Sequence, residues 1–149
     1  MSKSDYDKGM RTRRKALGDE WVDRALATQT PFNAEFQDMI TRTCWNEIWN
    51  RPGLPHRERR MIVIAQTAAM GRWEEFKLHA GAALRSGDLS QDDLKEILLQ
   101  TSVYCGVPTA NTAFREAREV LASLSPARNR RPSLSPALSQ GRGRTRKGQ

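Results

Sequence analysis

Apolar residues recur along this chain at the spacing of an α-helix, and no stretch alternates in the two-residue period of a strand. In the clearest segment Leu94, Ile97, Leu98 and Thr101 repeat at i, i+3, i+4 and i+7. Ser90, Gln91, Asp92 and Asp93 stand before them as an N-cap with acidic first-turn residues. Ala110, Ala113, Phe114, Ala117, Val120, Leu121 and Leu124 mark one face of a last helix. Upstream, Phe32, Phe36, Met39, Ile40 and Thr43 keep the same spacing up to Trp45 and Trp49, where Arg51-Pro52-Gly53 breaks the run. HRERRMIVIAQTAAMG has a polar first turn and a nearly all-apolar remainder, which predicts a helix buried on most sides and ended by Gly71. A further helix, RWEEFKLHAGAALRSG, closes at Gly87. The expected fold is all-α, a compact bundle of about six or seven helices with short connections.

The pattern stops at Ser125. From there the sequence is rich in Ser, Pro, Gly and Arg with isolated apolar residues, too few to offset the entropy of ordering them, so a disordered tail over 125–149 is expected after a folded domain over 1–124. This boundary also explains the net charge of +8. The tail holds Arg128, Arg130, Arg131, Arg142, Arg144, Arg146 and Lys147 and no acid. Setting those seven aside leaves 18 basic residues against 17 acidic ones in 1–124, a domain near +1. The basicity therefore suits, at most, a salt-sensitive polyanion contact by the tail, and a nucleic-acid-binding helical module is the less favoured reading. The longest apolar run, Met61 to Ala65, is too short to span a bilayer. Cys44 and Cys105 stand far apart outside any CxxC pattern, which fits reduced thiols in a cytoplasmic protein with no membrane partner.

Candidate chemistry concentrates between residues 45 and 80. Arg72, Glu75 and His79 fall within roughly 60° of one another around a helix, beside the apolar face of Trp73, Phe76, Ala80 and Ala83. The trio could line a pocket with an acid–base pair, and it could equally be an ordinary helix ion pair. No third metal ligand accompanies His79, and His56, beside a proline at a helix start, reads as exposed. Arg51, Arg57, Arg59 and Arg60 flank the Pro-Gly-Leu-Pro turn. They could hold a carboxylate, or serve as a solvated helix end or a subunit salt bridge. Trp45 and Trp49 could wall a pocket or fill a core, and Tyr104 with Cys105 admits the same two readings.

In order, G-M-R at 9–11, L-G-D-E-x-V at 17–22, W-N-E-I-W-x-R-P-G-L at 45–54, R-R-M-I-V-I-A at 59–65, G-R-W-E-E-x-x-x-H at 71–79 and V-Y-C-G-V-P-T-A-N-T-A at 103–113 resemble the carboxymuconolactone decarboxylase family. The resemblance runs colinearly from about residue 5 to 122. Asn46 stands where glycine is usual and Cys105 where alanine is common, and the tail has no counterpart. The related alkylhydroperoxidase D-like proteins carry a redox CxxC before the helix histidine. Arg72 and Glu75 occupy that spacing from His79 here, which disfavours the alternative of a peroxidase-like oxidoreductase.

The resemblance implies an alkylhydroperoxidase D-like fold and cofactor-independent decarboxylation of 4-carboxymuconolactone. The products would be 3-oxoadipate enol-lactone and CO2, a step of protocatechuate catabolism. It implies a small lactone dicarboxylate as substrate and a homo-oligomer, a trimer or hexamer. It also implies catalytic roles for His79 and Glu75, with Arg51, Arg72, Trp45, Trp49 and Tyr104 at the substrate. His79 would act as proton donor or oxyanion partner, and Glu75 would either orient it and hold its protonated form or destabilise the departing carboxylate. The substrate's own lactone carbonyl is the electron sink, so no metal or organic cofactor is expected.

Overall fold

The computed structural model describes residues 2–125. The tail expected from Ser125 onward lies almost wholly outside them. The described residues form seven helices: α1 (Lys3–Leu17), α2 (Asp19–Ala27), α3 (Ala34–Ile40), α4 (His56–Ala69), α5 (Trp73–Ser86), α6 (Gln91–Cys105) and α7 (Val107–Leu124). Helix α3 runs without a break into a π-helical stretch, Thr41–Ile48. The Trp49 amide, donating to the Cys44 carbonyl at 3.0 Å, extends its i→i+5 pattern by one bond.

Local chemistry sets several of the boundaries. Ser2 and Ser90 begin α1 and α6 as capping boxes, each exchanging side-chain and backbone bonds with an Asp three residues on. Gly87 ends α5 in the left-handed conformation, with φ of 74°. Pro108, one residue inside α7, suits a helix start because the first turn has no carbonyl for its missing N–H.

Two apolar clusters hold the helices together. The larger joins Ile64 and Ala68 of α4, Phe76, Ala80 and Ala83 of α5, Leu94, Ile97 and Leu98 of α6, and Ala113 and Ala117 of α7. The smaller joins Ala16, Leu17 and Val22 to Trp45 and Trp49, with Val63 and Leu78 packed against it. Helix α1 reaches this second cluster by lying almost on the π-helical stretch. A Cβ on Gly9 would stand 2.0 Å from the Thr41 carbonyl oxygen, so only glycine permits the approach. Asn46 lies on this side too, with its Cβ 3.2 Å from the same point.

Helix α4 is buried on one side only. Arg60, Ile64, Thr67 and Ala68 face inward, whereas Ile62 is exposed. Arg60, 1% exposed, donates from Nε to Asp88 at 2.6 Å, from Nη1 to the Ala16 carbonyl at 2.7 Å and from Nη2 to the Lys15 carbonyl at 3.3 Å. It thereby satisfies the otherwise unpaired carbonyls at the end of α1. The Phe32, Phe36 and Met39 series, spaced for a core, is exposed instead, Phe32 by 98%. Among the described residues no helix is long and apolar enough to cross a membrane.

Candidate functional site

The π-helical stretch brings the indoles of Trp45 and Trp49 together, with centroids 5.0 Å apart and planes inclined at 36°. Helix α5 enters from the other side with His79. Its imidazole stacks on both rings, 6.4 Å and 25° from Trp45 and 6.3 Å and 13° from Trp49. From the start of α4, His56 meets Trp49 edge-on at 5.7 Å. Trp49 is thus shared by both histidines of the chain.

His79 Nδ1 is buried and has no hydrogen-bond partner. Burial, and secondarily the Arg60 charge, depress its pKa to about 4, against a weaker opposing effect of Glu75. At neutral pH the imidazole is therefore uncharged. An orphaned buried N–H is rarer than an orphaned acceptor, so we assign the proton to Nε2. His56 is also shifted downward, chiefly by burial and by Lys15, with a backbone bond to Trp49 acting the other way. It is half-buried, not exposed as its place beside a proline suggests.

Behind Trp49 a cleft of about 170 Å³ opens between the π-helical stretch and α4, lined by Ile48, Trp49, Arg59, Ile62, Val63 and Gln66. His79 is not among its walls, and Trp49 is the side chain common to the histidine cluster and the cleft.

The other sequence candidates are placed differently. Arg72 and Glu75 pair loosely at 3.9 Å and are both largely exposed, so the trio divides into a surface pair and an inner His79. Such an exposed pair contributes little to stability. The Arg51 side chain is exposed, while its carbonyl accepts a bond of 3.0 Å from Arg59 Nη2. Tyr104 is 79% exposed at the end of α6 and does not line the cleft. Two of the four arginines around the turn are taken up by acids, Arg57 by Asp93 at 2.6 Å and Arg60 by Asp88. Cys44 is half-buried, and burial pushes its thiol pKa upward, away from the reactive thiolate. Among the described residues, no three His, Cys, Asp or Glu side chains gather as metal ligands.

The chain matches the model of the carboxymuconolactone decarboxylase family over residues 34–119. It is 40% identical over 119 residues to a 4-carboxymuconolactone decarboxylase of Acinetobacter baylyi, covering 80% of this chain and 88% of the relative. A nitrosuccinic acid decarboxylase of Metarhizium robertsii is 34% identical over 109 residues, 73% of this chain and 76% of the relative. A shorter 4-carboxymuconolactone decarboxylase sequence from Pseudomonas putida is 58% identical over 40 residues, 27% of this chain and 83% of the relative.

Proposed function

The chain belongs to the carboxymuconolactone decarboxylase family, and from that premise we propose that it decarboxylates 4-carboxymuconolactone to 3-oxoadipate enol-lactone and CO2. The observation that carries this reading is His79, an uncharged imidazole packed against two indoles, one of which also walls a cleft.

The substrate chemistry suits such a site. The leaving carboxylate sits on a ring carbon conjugated, through the ring double bond, to the lactone carbonyl. When its C–C bond breaks, the electron pair passes through the ring to the carbonyl oxygen, giving a dienolate. The α-carbon then takes a proton from solvent, one proton being consumed for each CO2 released, and the product is complete. Nitrosuccinic acid, named for one relative, has the same frame: a departing carboxylate on a carbon bearing a CH2-carboxylate arm and an oxygen-terminated acceptor. A shared site for both needs a donor aimed at the acceptor oxygen more than it needs a strong acid.

His79 fits that part. Its Nε2–H donates to the carbonyl oxygen as negative charge accumulates there, an interaction that strengthens toward the transition state and in a dry site. An imidazole kept neutral by its surroundings can polarise a carbonyl in this way without losing its proton. The indole walls exclude water and favour the charge-dispersed dienolate over the compact carboxylate. Glu75, exposed on the same helix, tunes His79 through space, while Arg51 and Arg72 stand outside and attract the dianionic substrate. The direct test is incubation with 4-carboxymuconolactone and trapping of the CO2 released.

The same reading includes assembly into a homo-oligomer, a trimer or hexamer, in the cytoplasm. Phe32, Phe36, Met39, Val103, Tyr104 and Val107 support it, since this much exposed apolar side chain is characteristic of a surface covered by a partner.

A further inference from the structure

We propose that Arg59 is the specificity-determining residue of the cleft behind Trp49, holding the carboxylate of the substrate's CH2-carboxylate arm, the one that does not leave. The inference rests on the decarboxylase reading above and adds a binding site to it.

Arg59 is distinguished from its neighbours by what it lacks. Arg57 and Arg60 are each neutralised by an aspartate at 2.6 Å. Arg59 lines the cleft with no carboxylate within ion-pair distance among the described residues, although Glu58 precedes it. Its one bond is from Nη2 to the Arg51 carbonyl, and Nε is buried without a partner. That bond fixes the plane of the guanidinium and leaves further N–H donors in a planar fork, the geometry a carboxylate accepts in paired bonds. Nε is shielded from the cleft, so the donors offered to an incoming acid are those on Nη1 and the second N–H of Nη2.

The other walls agree. Gln66 supplies an amide donor on the next turns of α4, and Ile48, Ile62 and Val63 offer an apolar surface to the methylene of the arm. With the arm there, the ring remains at Trp49, the side chain that also touches His79. A site built this way selects acids with a CH2-carboxylate arm and rejects those whose arm is neutral.

The test uses the full-length protein and two probes: the butenolide acetate that lacks the leaving carboxylate, and its methyl ester. Neither can lose CO2, so calorimetric titration reads binding alone. Wild type is expected to bind the acid at least about tenfold more tightly than the ester, the scale of a charged hydrogen-bonded contact. Arg59→Gln should bring the acid down to the ester's affinity and leave the ester unchanged, and Arg59→Lys should fall between. If Arg59→Gln does not fold, Gln66→Leu, an exposed position, should still narrow the acid-to-ester ratio. Equal affinities in wild type, or an acid preference undiminished in the Arg59 and Gln66 variants, would overturn the proposal. An Arg59-dependent acid preference in a protein that releases no CO2 from 4-carboxymuconolactone would leave the site standing and remove the function. Rapid CO2 release without any acid preference would do the reverse.

Discussion

The imidazole of His79 and the indole of Trp49 lie almost parallel, 13° apart with centroids separated by 6.3 Å, although they come from helices joined only through the tertiary fold. The contact contributes to the burial that keeps His79 uncharged at neutral pH. A histidine of ordinary pKa would be partly protonated at neutral pH, and its charge would favour the substrate carboxylate as much as the dienolate.

This burial predicts an acid-sensitive protein. The folded-state pKa of His79 is about 4, below the ordinary histidine value of 6.5. Between those values the unfolded chain takes up a proton that the folded chain does not. The stability is therefore fully present above about pH 6.5 and declines as pH falls toward 4, with His79 contributing on the order of 3 kcal/mol to the loss. Urea midpoints at pH 7 and pH 4.5 measure it. His79→Gln should show a clearly smaller drop than wild type, and equal drops would mean that the imidazole is not desolvated.

The approach of α1 to the π-helical stretch predicts a second effect. Gly9→Ala places a methyl group 2.0 Å from the Thr41 carbonyl, where backbone on both sides must yield. A cost of about 1–3 kcal/mol is expected, the usual range for overpacking. Thermal melting reads the loss, and near-ultraviolet circular dichroism should show the Trp45–Trp49 pair disturbed. An unchanged melting curve would contradict the close packing.

Arg60 should prove structural. Arg60→Met removes the bonds to Asp88, Ala16 and Lys15 from a buried position and leaves the end of α1 with unpaired carbonyls. A loss of about 3 kcal/mol is expected in urea unfolding. A loss below about 1 kcal/mol, the level of an exposed ion pair, would show that the interaction is not desolvated.

Much of this fold was legible in the sequence, and the illegible parts have physical reasons. Ser90 with Asp93, Gly87 and the Leu94–Thr101 repeat announce α5 and α6 because capping and periodicity are local. The π-helical stretch is not announced, since over eight residues its apolar spacing matches that of an α-helix. Arg57, Arg59 and Arg60 are equivalent in sequence. What separates them is the arrival of Asp93 and Asp88 from 36 and 28 residues away. His56 reads as exposed from its proline neighbour, yet the fold lays Trp49 against it. Phe32, Phe36 and Met39 carry core spacing but meet no core within one chain.

That last mismatch gives a prediction about assembly. Light scattering at micromolar concentration should find three or six copies, and Phe36→Glu should shift the population toward smaller species. A wild-type monomer under those conditions would contradict the proposed oligomer.

Whether His79 drives decarboxylation is decided by kcat/KM for 4-carboxymuconolactone, followed by loss of substrate absorbance and release of CO2, in wild type and in folded His79→Ala side by side. Wild type should turn over without added metal or cofactor, and the variant should be slower by about 10²–10⁴-fold. Near-equal rates would remove His79 from the chemistry, and no turnover by wild type would contradict the function itself.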